Sequence, residues 1–247
     1  MSGHSKWSTI KRKKGAADAK RGAVFTRISK DITLAARDGS DTPDMNPGLR
    51  LAIKNAKTAN MPAANIERAI NKGTGNLPGM KYQNYIYEGY GPGGTAIMME
   101  VMTDNKNRTV PDIRHIMSKN GGNLGEQGCV NWMFEKKGTI TVSKNGIDED
   151  SILEISLNLG ADDFQSENDV FIIFTRPEDF GAVSKGLEDR GYAIDGEVGL
   201  IPINMVKISG TDAKQLLGLL EKLEEHEDIQ KVYSNFDLDE SEMDSLL

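Results

Sequence analysis

Cys129 is the only cysteine among 247 residues. One thiol cannot form an internal disulfide, and its solitude fits a reducing compartment and a small, buried, inert side chain. Long apolar runs are equally lacking. No stretch approaches the roughly 18 consecutive apolar residues of a membrane span, and the basic N-terminus is not followed by the apolar core of a secretory signal. A cytoplasmic protein with no membrane contact is the expectation. Histidines are few: His4, His115 and His226 show no metal-ligand spacing, and a single cysteine cannot build a zinc site.

Catalytic motifs are absent too. There is no G-x-x-x-x-G-K-[ST] phosphate loop and no G-x-S-x-G nucleophile elbow. Gly89 to Gly94 matches G-x-G-x-x-G letter for letter, but a dinucleotide fingerprint needs a helix after it. A second β-like run follows here, so the stretch reads as a turn. Glu221, Glu224, Glu225, Glu227 and Asp228 recur at helix-surface spacing and read as solvating charge. The chain is therefore expected not to be an enzyme and to need neither cofactor nor metal.

What the chain does have is charge, unevenly placed. The net charge is -7, yet residues 1–80 hold 15 basic and 6 acidic residues, a balance of +9, which leaves -16 for the remainder. Lys11, Arg12, Lys13 and Lys14 form an unbroken cationic block, with Lys6 and Trp7 before it and Lys20, Arg21, Arg27, Lys30 and Arg37 after it. Lys and Arg in a row suit a phosphodiester backbone, by charge neutralisation and counterion release. Trp7 has two readings. It could stack on a base, worth about 1–3 kcal/mol, or anchor the arm onto the helices behind it.

Three helices are expected in the first third. Val24, Phe25, Ile28, Ile32, Ala35 and Ala36 recur at helical spacing, which places Lys20, Arg27, Lys30 and Arg37 mostly on the opposite side, with Asp31 between the faces. Asn46-Pro47 reads as the cap and first residue of a second helix, with Leu49, Ala52, Ile53 and Ala56 inward and Arg50, Lys54 and Lys57 on another face. A third helix begins near Pro62. Ile66, Ala69 and Ile70 face inward, and Arg68 and Lys72 align at i, i+4. Residues 74–81 then read as a linker.

Beyond it the period changes. A hairpin over 85–102, a helix over 107–120 and a strand over 130–135 are expected, with Trp132, Met133 and Phe134 in the core. From Gly138 the order is βαββαβ, which is ferredoxin-like and complete by residue 198. A strand, a helix over 211–226 and another strand remain. The fold class is therefore α+β: an N-terminal three-helix domain followed by two α/β domains, the last ferredoxin-like and inserted into the middle one. The expected ranges are 1–80 for the basic arm and bundle, 82–135 with 202–247 for the discontinuous domain, and 138–200 for the insert.

Several motifs run in order along the chain: Gly3-His4-Ser5-Lys6-Trp7, Lys20-Arg21-Gly22 with Phe25, the run from Asn46 to Gly73, and Tyr87-Glu88-Gly89-Tyr90-Gly91-Pro92-Gly93-Gly94. Thr103 to Thr109, Gly121 to Gly125 and Trp132-Met133-Phe134 follow. Together they resemble the motifs of the YebC/PmpR family, over essentially the whole chain. The resemblance implies three domains and a cytoplasmic, non-enzymatic protein. Members are described as DNA-binding transcriptional regulators, and similar proteins, including a mitochondrial activator of cytochrome oxidase synthesis, act in translation.

The expected partner is thus nucleic acid, either DNA or RNA and the ribosome, with a protein- or ligand-binding regulatory module as a further alternative. The residues nominated for contact are Lys6, Trp7, Lys11, Arg12, Lys13, Lys14, Lys20, Arg21, Arg27, Lys30, Arg50, Lys54, Lys57, Arg68 and Lys72. Oligomeric state is not legible in the sequence.

Overall fold

The computed structural model describes residues 21–75, 82–167 and 169–239. Its α+β fold begins with helix α1, Arg21–Asp38. The 3.6-residue return of its apolar side chains buries Ile32 and Ala36, with Phe25, Ile28 and Ala35 packed beside them. Helix α2 spans Pro47–Thr58. Asn46 caps it by accepting the Leu49 N–H at 3.0 Å, and Pro47 takes the first helical position, where no N–H is required. Helix α3 spans Ala63–Gly73. Leu49, Ala52 and Ala56 from α2 and Ile66 and Ala69 from α3 close one core with α1.

Gly73 marks a close approach of α3 to α1. A Cβ built there would lie 2.4 Å from the Thr33 carbonyl oxygen and 2.8 Å from the Ala36 Cβ. Gly73→Ala is therefore expected to force the two helices apart and destabilise the protein by about 1–3 kcal/mol, read as a lower denaturant midpoint.

The next elements are strands β1 (Gln83–Tyr90) and β2 (Ala96–Thr103), an antiparallel hairpin. Gly93 and Gly94 take positive φ in the connection, so the glycine-rich motif is a turn between strands, as its flanks indicate. Helix α4 spans Lys106–Lys119, and Asn105 caps it. The short strand β3, Asn123–Leu124, then pairs with β1.

The chain continues into β4 (Phe134–Ser143), α5 (Glu149–Asn158), β5 (Asp163–Ser166), β6 (Val170–Thr175), α6 (Phe180–Glu188) and β7 (Ile194–Pro202). These strands form one sheet in the order β5-β6-β4-β7 with every neighbour antiparallel, which is the ferredoxin-like arrangement. Ile140, Val142, Phe171 and Ile173 face the buried Ile152, Val183 and Leu187 of its two helices.

The last elements are β8 (Val206–Lys207), α7 (Gly210–Glu225), β9 (Ile229–Ser234) and β10 (Phe236–Asp237). Strand β9 returns across more than a hundred residues to pair with β2, giving a sheet in the order β3-β1-β2-β9. One face of β2, with Ile97, Met99 and Val101, packs on α4 and α7. The other face, with Ala96 and Met98, packs with Tyr233 against Val130 and Phe134. Cover on both faces explains why β2 reads as a continuous apolar run rather than an alternating one.

Two expectations need correction. The region 130–135 is not one strand: residues Asn131–Met133 make a single 3-10 turn, and only from Phe134 is the chain extended. The turn rotates Trp132 outward, to 64% exposure, so it is not core. Nor is there a break between residues 135 and 138. Strand β4 runs unbroken through that stretch, because Phe134 belongs to the middle core and Ile140 to the ferredoxin-like one. No helix among the described residues is long and apolar enough to cross a membrane.

Candidate nucleic-acid interface

Helices α1 and α3 part from their close approach at Gly73 to leave a groove of about 340 Å³. Phe25, Thr26, Ser29, Lys30 and Thr33 line it from α1, and Asn65, Arg68, Ala69 and Lys72 from α3; Tyr82 closes one side. Three of the nominated cations, Lys30, Arg68 and Lys72, thus meet in one place, and among the described residues no carboxylate lines it. In a chain of net charge -7, Arg68 and Lys72 make this a locally cationic lining, since the Lys30 charge is answered by Asp228.

The three cations do different things. Arg68 is exposed, with no hydrogen bond or ion pair among the described residues, and its five donors remain available. Lys72 lies 4.8 Å from the Tyr82 ring centroid and donates to the Tyr82 hydroxyl at 3.2 Å. Lys30 belongs to the solvent face by its spacing, and the structure corrects this. It is 4% exposed, and its ammonium donates to the Met102 carbonyl (3.2 Å), the Glu227 carbonyl (2.9 Å) and Asp228 Oδ1 (2.5 Å). With all three donors engaged, Lys30 latches the helical domain to the middle domain rather than reaching a ligand.

Asp228 is corrected with it. Read from the sequence as solvating, it is 1% exposed and accepts on Oδ2 from Thr109 (2.7 Å), Arg108 (2.9 Å) and Thr103 (3.2 Å). Burial pushes its carboxyl up, but the hydrogen bonds from Lys30, Thr109 and Arg108 outweigh this and hold it well below the usual carboxylate range.

The remaining nominated residues divide by position. Lys54 and Lys57 stand exposed on α2, and their ammonium groups meet no partner among the described residues. Arg50 is exposed as well, but its guanidinium donates to the carbonyls of Pro43 (3.1 Å) and Asp44 (2.9 Å), bracing the turn before α2. Arg27 is half-buried; burial lowers its guanidinium, while Glu224 and Asp31 pull it up, so its charge is partly answered within the protein. Arg21 lies in the first turn of α1. Lys6, Trp7, Lys11, Arg12, Lys13, Lys14 and Lys20 lie outside the described residues.

Asp31 keeps a side toward solvent, yet loss of hydration outweighs Lys231 and Arg27 and pushes its carboxyl up to about 6. A raised folded-state value means that the protonated form favours folding and that this advantage is lost as pH rises through about 6. Asp31→Asn is expected to raise thermal stability above that pH and to leave it unchanged in acid, which melting curves at two pH values would read.

Tyr82 is one of the groove residues that sequence reasoning did not nominate, with Phe25, Ser29 and Asn65. It directly follows the stretch read as a linker, residues 74–81, and nothing in its spacing marks it. Arg37 donates to its carbonyl oxygen at 2.9 Å, and Lys30 lies 5.4 Å from its ring centroid. Those interactions and the Lys72 hydrogen bond hold the ring in place across the domain junction. Elsewhere, no group of three or more His, Cys, Asp or Glu residues is placed to hold a metal among the described residues.

Comparison with known proteins gives a single answer. A family model described as the TACO1/YebC protein N-terminal domain matches residues 5–76, and one described as the TACO1/YebC second and third domain matches residues 82–236. A probable transcriptional regulatory protein of Desulforapulum autotrophicum is 53% identical over 247 residues, covering all of both chains. One from Desulfotalea psychrophila is 54% identical, covering all of this chain and 99% of its own. The crystal structure of a conserved hypothetical protein from Aquifex aeolicus is 44% identical, with a TM-score of 0.80 over 90% of this chain and 93% of that one.

Proposed function

Because the chain belongs to the TACO1/YebC family, we propose that it is a nucleic-acid-binding regulator of gene expression that catalyses no reaction. Its relatives are named probable transcriptional regulatory proteins, which makes DNA the first polymer to consider. The observation that carries the reading is the distribution of unanswered charge. Arg68 and Lys72 line a groove without carboxylates among the described residues, and Lys54 and Lys57 stand unpaired on α2, while the remaining two-thirds of the chain is acidic. Such cations position a phosphate backbone without reading sequence. The acidic domains limit indiscriminate coating of the polymer by like-charge repulsion.

The test is equilibrium binding of the full-length protein to duplex DNA, and to RNA of the same sequence, over a salt series. Replacing Lys54, Lys57, Arg68 and Lys72 with alanine is expected to weaken binding alike for unrelated sequences. The log–log salt slope should become shallower by about one for each phosphate no longer neutralised. Indifference of the intact protein to both polymers in dilute buffer would sink the proposal. A translational role on RNA is the second reading, favoured by the Phe25 and Tyr82 side chains in the groove lining, which suit an unstacked base beside the cations.

A further inference from the structure

We infer that the groove between α1 and α3 is a pocket for one unpaired nucleotide of a single-stranded nucleic acid. The inference rests on the nucleic-acid reading above and narrows it to a place and a chemistry. A volume of about 340 Å³ is at the small end of ligand clefts. Such a volume suits one small ligand group rather than a whole duplex.

The lining matches the parts of a nucleotide. Arg68 and Lys72 answer no carboxylate among the described residues and are available to a phosphate, the guanidinium by paired donors. Phe25 and Tyr82 supply aromatic lining against which any base can rest whatever its identity, a base at Tyr82 sharing the ring with the Lys72 and Lys30 ammonium groups. The Ser29 and Asn65 side chains have no hydrogen-bond partner among the described residues, and both can reach a base edge or a ribose hydroxyl. An acidic peptide would satisfy the cations but leave the aromatic walls and the amide unused.

The pocket is also preformed. Tyr82 is fixed through its backbone by Arg37 and through its hydroxyl by Lys72, so little side-chain freedom is lost on binding.

The test uses the full-length protein with oligomers of about 12 nucleotides, as single-stranded RNA, single-stranded DNA and duplex, each carrying bromouracil for photocrosslinking. Mass spectrometry of the adducts is expected to place them on Tyr82 or Phe25 with single strands only. The uncharged change Ser29→Ala with Asn65→Ala is expected to weaken single-strand binding by roughly tenfold while leaving duplex binding unchanged. A larger loss on RNA than on DNA would identify the ribose hydroxyl as a partner and support the pocket. Adducts confined to other sites, or equal losses on single strands and duplex, would overturn the pocket while nucleic-acid binding stands. Absence of binding to every polymer would overturn both.

Discussion

Lys30→Ala is expected to cost about 3 kcal/mol of folding stability, the low end of the range for removing one partner of a buried ion pair. The loss comes from Asp228, which is 1% exposed and would keep Arg108, Thr109 and Thr103 on Oδ2 but lose its ammonium on Oδ1. The Met102 and Glu227 carbonyls would lose their donor as well. Urea titration should show a lower midpoint; an unchanged one would mean that the latch contributes nothing.

The same pair has a pH signature. Asp228 is held below the usual carboxylate range in the fold, so its stabilisation is present above about pH 4 and is lost as pH falls toward its folded value. Arg108 shares that carboxylate, and Asp104, Glu227 and His226 stand nearby without replacing Lys30. The acid limb of the stability profile should therefore flatten in Lys30→Ala.

Glu88→Ala should be comparably damaging, for a different reason. Glu88 is 4% exposed, and its carboxylate faces backbone rather than a cation. It accepts the N–H groups of Gly128 (2.7 Å), Val130 (2.8 Å) and Asn131 (2.8 Å), folding residues 125–131 around itself. Removing it strands three donors. Each costs about 1–3 kcal/mol if left unmet, and water can reach two of the three, so a net loss of about 3 kcal/mol follows.

The effect has local reporters. Tyr90 and Trp132 both donate to the Cys129 carbonyl, and burial followed by Glu88 holds the Cys129 thiol above its ordinary value. In the variant, Cys129 should react faster with thiol reagents and Trp132 emission should shift. Wild-type labelling rates would show that the loop stands without Glu88.

Much of this architecture is legible in the sequence. Period, caps and turns mark α1 to α3, the hairpin and the ferredoxin-like order, because each depends on near neighbours in the chain. Asn46-Pro47 is the clearest case, since a cap and a proline announce a helix start on their own. What is not legible depends on partners far away. Lys30 lies on a polar stripe of α1 by spacing, but the residue it meets is 198 positions along. Asp228 reads as one more acid in an acidic run until that lysine reaches it. Trp132 reads as core because its neighbours are apolar, and a single 3-10 turn puts it outside. The groove obeys the same rule: Arg68 and Lys72 can be paired by spacing, whereas Tyr82 arrives from another domain.

Strand β4 gives the molecule its mechanical character. Its first residues pair with the end of β7 beside the middle core, and its last residues pair with β6 deep in the ferredoxin-like sheet. The two α/β domains therefore share a girder rather than a hinge, and neither can swing without shearing a ladder of backbone bonds. Among the described residues the helical end is fastened otherwise, by the Lys30 latch, the attraction of Arg27 to Glu224 and of Asp31 to Lys231, and the grip on Tyr82. Any articulation of the protein on a long polymer must then occur at that fastening, with the rear two domains following as one stiff handle.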